Sequence, residues 1–197
     1  MSLLYSTLSA SYGHHDGIND LEKRGWIHDQ NLSNDEFSTF YHPEKRKMIF
    51  TVAGTHKASD WGTDVALAFG RLKDTDRYKR AHSAIRIAKE KYKPRKTIVT
   101  GHSLGSSIAQ YISSKGDKVI GLDAGYTIGQ STKRGVHYRT EGDLVSILGS
   151  GAKRNITLPN NKSPLEKAVG NTLWMASPIA YGAFNAYNAH NISKIKK

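Results

Sequence analysis

Between Lys96 and Leu122 the chain reads as strand, tight turn, helix and strand with almost no spare residues. Lys96–Thr100 carries Ile98 and Val99, β-branched and apolar, as a buried parallel strand requires. It runs straight into Gly101-His102-Ser103-Leu104-Gly105. Ile108, Tyr111 and Ile112 then mark one face of a helix predicted to end near Lys115-Gly116, with glycine as its C-cap. Lys118–Leu122 is the next strand. Two strands joined through one helix by short connections form a right-handed crossover unit and must lie parallel. The predicted class is therefore α/β, with a mostly parallel central sheet flanked by helices.

The rest of the chain extends that pattern. Phe37–His42 and Met48–Ala53 are strand-like runs joined by the polar connection Pro43–Lys47, which suits a hairpin. From Thr75 to Tyr92, Tyr78, Ala81, Ile85, Ala88 and Tyr92 recur every three or four residues, which predicts an amphipathic helix stopped by Pro94. Val136–Thr140 is a further strand. Lys153–Pro164 is a polar stretch, and Ala168–Ala189 is an apolar run interrupted by Asn171, Pro178, Asn185 and Asn188. Those interruptions favour a core-packing or site-covering segment over a membrane span. With 197 residues and no repeat or linker, one domain over 1–197 is expected, residues 1–36 forming its N-terminal helical and loop extension.

Composition narrows the chemistry. Zero cysteines exclude disulfides, thiolate nucleophiles and cysteine metal sites. No spacing suits zinc or a phosphate-cradling glycine loop, so neither metal nor cofactor is expected. A net charge of +12 should draw the protein to anionic surfaces. The basic residues are scattered and carry no nucleic-acid-binding motif, which favours a solvated face or an anionic membrane surface over nucleic acid. Met1–Ala10 lacks the basic flank and long apolar run of a secretion signal, so an intracellular start is expected.

A serine between glycines at a sharp strand-to-helix turn presents its hydroxyl at the carboxyl edge of a sheet. Ser103 is thus the candidate nucleophile, and the same turn aims the Leu104 N–H at the place where a tetrahedral intermediate would carry negative charge. A serine needs a histidine base and a carboxylate to orient that base. Past Ser103 only His137 and His190 remain. His137 lies inside a strand run, whereas His190 opens the loop His190-Asn191-Ile192 and is the expected base. For the acid, Asp143 stands just beyond a strand end; Asp123, also after a strand, is second, and Glu141 third.

From Phe37 to Ile192 these segments resemble the class 3 lipases of the α/β-hydrolase fold, the group that includes filamentous-fungal triacylglycerol lipases. Met48–Thr55 is similar to that family's strand ending in Arg-Gly-Thr/Ser, Ser59–Asp64 to its Asp-Trp-x-x-Asp, and Gly142–Val145 to its Asp-x-Val acid site. Ala53 stands where the family usually has arginine, Ser106 where a second glycine is common, and Leu122–Gly125 lacks its Phe-Gly-x-Pro-Arg. The resemblance implies that Thr55 contributes its N–H and hydroxyl to an oxyanion hole opposite Leu104. It also puts Trp61 and Phe69 in a lid or substrate-binding segment. It further implies hydrolysis of acyl esters of lipids through an acyl-enzyme, in an intracellular or virus-associated setting peripheral to membranes. Two other functions share these observations: a non-catalytic membrane-surface binder on a hydrolase scaffold, and a basic nucleic-acid-binding protein.

Overall fold

The computed structural model describes residues 2–55, 70–124, 135–140 and 155–158. Among them are seven strands: β1 (Ile27–His28), β2 (Phe37–His42), β3 (Lys47–Val52), β4 (Lys96–His102), β5 (Lys118–Leu122), β6 (Val136–Thr140) and β7 (Asn155–Leu158). They lie side by side in chain order in one sheet. β1, β2 and β3 pair antiparallel, and every pairing from β3 to β7 is parallel. The sheet is thus mixed and mostly parallel, as the sequence predicts.

Among the described residues, four α-helices with defined bounds flank it: α1 (Leu3–Ser11), α2 (His15–Lys23), α3 (Asp76–Tyr92) and α4 (Leu104–Ile112). Alternate residues of a strand face opposite sides. Met48, Phe50 and Val52 of β3 accordingly pack with Val99 against Ala81, Ile85 and Ala88 of α3 and Ile108 and Ile112 of α4. Ile49 turns the other way, to Phe40, Trp26, Leu21 of α2 and Ala10 of α1. Burying a side chain such as Phe50 or Ile49 completely is worth roughly 1.5–3 kcal/mol, so both faces of the sheet contribute to stability.

Local chemistry sets the ends of the helices. Thr75 caps α3, its side chain accepting from the Tyr78 N–H at 3.2 Å, and Lys93 closes it in the left-handed region (φ 41°) just before Pro94. α4 stops at Ile112, earlier than the expected cap at Gly116. Ser113 is already extended, the Ser114 N–H is taken by the Asp117 carboxylate at 2.7 Å, and the Asp117 N–H reaches the Ser114 carbonyl at 3.1 Å. Those side-chain and turn bonds replace the next helical ones. Gly116, at φ 101°, turns the chain into β5 instead.

One strand was not visible beforehand. Asn155–Leu158, inside the polar stretch, pairs with β6 from His137↔Asn155 to Thr140↔Leu158. Residues 3–23, within the stretch 1–36 expected as a helical and loop extension, form a helical pair in which α1 is buried along Ser6–Ser11, mostly by small side chains. Gly17 of α2 lies so close to α1 that a Cβ there would sit 2.6 Å from the Ala10 nitrogen and the Ser6 oxygen. No helix among the described residues is long and apolar enough to cross a membrane. The apolar run 168–189 lies outside those residues.

Candidate active site

The parallel register brings four chain segments to one edge. Val52 stands opposite Gly101, and His102 opposite Leu122, so the ends of β3, β4 and β5 are neighbours, with the end of β6 beyond them. Ser103 sits between β4 and α4 at φ 53°, ψ −125°. A non-glycine residue there costs about 1–3 kcal/mol and persists only where its surroundings enforce it. Here they do. A Cβ on Gly101 would run into the backbone of Gly105, and one on Gly105 into the carbonyls of Val52 and Ala53. The turn is therefore wedged between its own helix and the end of β3, and the Ser103 N–H is tied to the Leu122 carbonyl at 3.0 Å.

The Ser103 side chain is buried, yet its Oγ has no hydrogen-bond partner among the described residues, and the same holds for Thr55 Oγ1. Buried hydroxyls are ordinarily satisfied, so each of these two calls for an explanation. Leu104 begins α4, so its N–H is one of the helix-terminal donors without an intrahelical acceptor.

Two side chains that the sequence reading passed over complete this edge. Tyr12, at the end of α1, accepts the Gly54 N–H at 2.8 Å and is hydrogen-bonded to His102 Nδ1 at 2.6 Å. Burial pushes the Tyr12 hydroxyl up to about 12, moderated by the Gly54 N–H and by the charge of Arg77. Arg77, at the start of α3, donates from Nη2 to the Ala53 carbonyl at 2.7 Å and the Gly54 carbonyl at 2.9 Å. Burial lowers its pKa, opposed by the more distant Glu36 and Tyr12. No local pattern could have flagged either one: Tyr12 and His102 are 90 residues apart.

Asp123, the second choice for the acid, is fully buried at the end of β5 with φ 44°. Its carboxylate accepts the Thr140 N–H at 2.6 Å and the Thr140 hydroxyl at 2.8 Å, so it ties the end of β5 to the end of β6. His137 is buried within β6, on a face of the sheet as its strand position predicts. Asp143, Glu141, His190, Trp61 and Phe69 lie outside the described residues. The structure thus brings together Ser103, Leu104, Thr55 and Asp123 of the residues singled out from sequence, and adds Tyr12 and Arg77.

No family model matches the chain, and no curated protein matches it. Solved structures do. A deletion mutant of the Rhizomucor miehei lipase in its propeptide complex superposes with a TM-score of 0.50 at 15% identity, over 80% of this chain and 66% of that one. A Yarrowia lipolytica lipase gives 0.41 at 16% identity, over 67% and 63%. A triacylglycerol lipase from Penicillium expansum gives 0.46 at 15%, over 80% and 79%. The chain spans less than two thirds of the length of the Rhizomucor and Yarrowia lipases. At such identities the likeness is one of fold, and with the mostly parallel sheet and flanking helices it makes this chain an α/β-hydrolase fold of the kind seen in fungal lipases.

Proposed function

We propose that this chain is a serine carboxylic-ester hydrolase acting on acyl esters of lipids. The observation that carries the reading is Ser103 itself: a strained, glycine-flanked serine at the carboxyl edge of a parallel sheet, its hydroxyl buried and unpartnered among the described residues. In the proposed mechanism Ser103 Oγ attacks the ester carbonyl carbon while His190 takes the hydroxyl proton and Asp143 orients the imidazole. The carbonyl oxygen, now negative, is held by the Thr55 and Leu104 N–H groups, each such donor being worth roughly 3 kcal/mol to the barrier. The carbon–oxygen bond to the alcohol breaks, the alcohol leaves with the proton from His190, and water then hydrolyses the acyl-enzyme by the same steps. Trp61 and Phe69 are assigned to a segment that covers the acyl chain.

Ser103→Ala is the test. Hydrolysis of p-nitrophenyl acyl esters should fall by at least about 10³-fold, and labelling by a fluorophosphonate probe should vanish. Persistence of both in the variant would remove Ser103 from the mechanism. A panel of phospholipid, lysophospholipid and acylglycerol esters then separates lipid from general esterase activity.

A second reading, attachment to an anionic membrane surface, is favoured by one feature. At the sheet edge opposite Ser103, Arg46 and Lys47 lie beside Arg95 and Lys96, through the Lys47↔Lys96 register and an Arg95 N–H to Arg46 carbonyl bond of 2.8 Å, with Lys115 and Lys118 at the start of the next strand. None of the six forms a salt bridge among the described residues. Co-sedimentation with phosphatidylserine vesicles that is insensitive to Ser103→Ala would support it; equal recovery with neutral vesicles would count against it.

A further inference from the structure

The two peptide groups on either side of Gly54 are gripped in a way that leaves one donor over among the described residues. In a trans peptide the C=O and the N–H point in opposite directions, and no described peptide bond is cis. The Ala53–Gly54 peptide is held at both ends, its oxygen by Arg77 Nη2 at 2.7 Å and its N–H by the Tyr12 hydroxyl at 2.8 Å. The Gly54–Thr55 peptide is held at its oxygen by the same Nη2 at 2.9 Å. Its N–H belongs to Thr55 and makes no hydrogen bond among the described residues. Meanwhile the loop is pressed onto the nucleophile turn: a Cβ on Gly54 would sit 3.0 Å from the Ser103 Cβ, 3.0 Å from the His102 carbonyl oxygen and 2.5 Å from the Tyr12 hydroxyl.

We infer that Arg77 is a positioning residue for oxyanion stabilisation: it holds the Gly54–Thr55 peptide by its oxygen so that the Thr55 N–H points away from the guanidinium and into the site. This rests on the ester-hydrolase reading for its catalytic consequence, and on the peptide geometry for the hold itself. The guanidinium is suited to the task. It makes no salt bridge to a carboxylate among the described residues, and its Nε is shut off from solvent with no acceptor there. Its charge is therefore directed at two carbonyl oxygens. A cation on a peptide oxygen withdraws electron density from the nitrogen, which makes the N–H a stronger donor, and hydrogen-bonded groups polarise one another more where water is excluded. The donor is thereby aimed before substrate arrives, which is the condition under which such groups lower a barrier.

Arg77→Gln and Arg77→Lys test the assignment with two readouts. In ¹H–¹⁵N spectra of the full chain, Arg77→Gln should move the Gly54 and Thr55 amide resonances upfield while amides of β5 and α2 stay in place. In kinetics with a p-nitrophenyl ester, kcat should fall about 10- to 100-fold with KM changed less than about twofold, Arg77→Lys lying between. Should Arg77→Gln fail to fold, Arg77→Lys carries both readouts, since the shorter lysine draws the cation back from the two carbonyls and lacks the fixed guanidinium fork. Unmoved Gly54 and Thr55 amides in a folded variant would overturn the hold, and shifted amides with unchanged kcat would overturn its catalytic consequence. If the wild type cleaves no ester, the ester reading falls alone and the amide shifts still decide whether Arg77 sets this peptide.

Discussion

Tyr12 shows how much one side chain at this edge must satisfy. Its hydroxyl serves the Gly54 N–H and His102 Nδ1 together, and burial holds its pKa at about 12 against a free value of 10.0. The folded state thus binds the phenolic proton more tightly than the unfolded chain does. Stability from this group is fully present below pH 10 and is lost as pH rises from about 10 to about 12, by something like 2–3 kcal/mol across that window. Urea midpoints for wild type and Tyr12→Phe should converge over that range. At neutral pH, Tyr12→Phe leaves the Gly54 N–H without its partner and should cost about 1–3 kcal/mol. It should also reduce ester turnover, since the loop it releases carries Thr55. The candidate nucleophile was legible in sequence because its glycines and serine are neighbours in the chain. Tyr12 was not, because its meaning depends on 42 and 90 residues of intervening chain being folded back.

Among the elements, the most local ones could be read best. β2, β5 and β6 were expected at the boundaries observed, and α3 matched from its Thr75 cap to Tyr92, because alternation, capping residues and Pro94 act within a few residues of each other. α4 ended earlier than expected, since the Asp117 side chain competes for backbone donors after Ile112. For α1 and α2 only a helical and loop extension was expected, without bounds or pairing, because their contact is made by small residues rather than a hydrophobic stripe, with Ser6 donating to Asp20 at 2.6 Å and Gly17 allowing the backbones to touch. Gly17→Ala should force that pair apart, at a cost of about 1–3 kcal/mol by thermal unfolding. Because α1 delivers Tyr12, the same substitution should lower ester turnover without touching the site. Turnover unchanged in a destabilised Gly17→Ala protein would separate α1 from the chemistry.

For the molecule as a whole, the sheet sorts function by edge. Strand carboxyl ends collect Ser103, Gly54 and Asp123, while the opposite edge collects Arg46, Lys47, Arg95, Lys96, Lys115 and Lys118. Any binding to anionic vesicles through that second edge should weaken steeply as salt rises from about 0.05 to 0.5 M, because exposed charges are screened. Loss on reversing Lys47 and Lys96 to glutamate, but not on reversing the helix-face pair partner Arg86, would locate it. Sequence was sufficient for the α/β class, the parallel direction of β4 and β5, and the strained serine turn, because each follows from periodicity, short connections and glycine spacing along continuous chain. It could not reveal which carbonyls Arg77 would grip, that Tyr12 would meet His102, that Asp123 would clamp Thr140, or that scattered lysines and arginines would share one edge. Those are distances between residues remote in the chain, and they come into being only when strand pairing closes the loops between them.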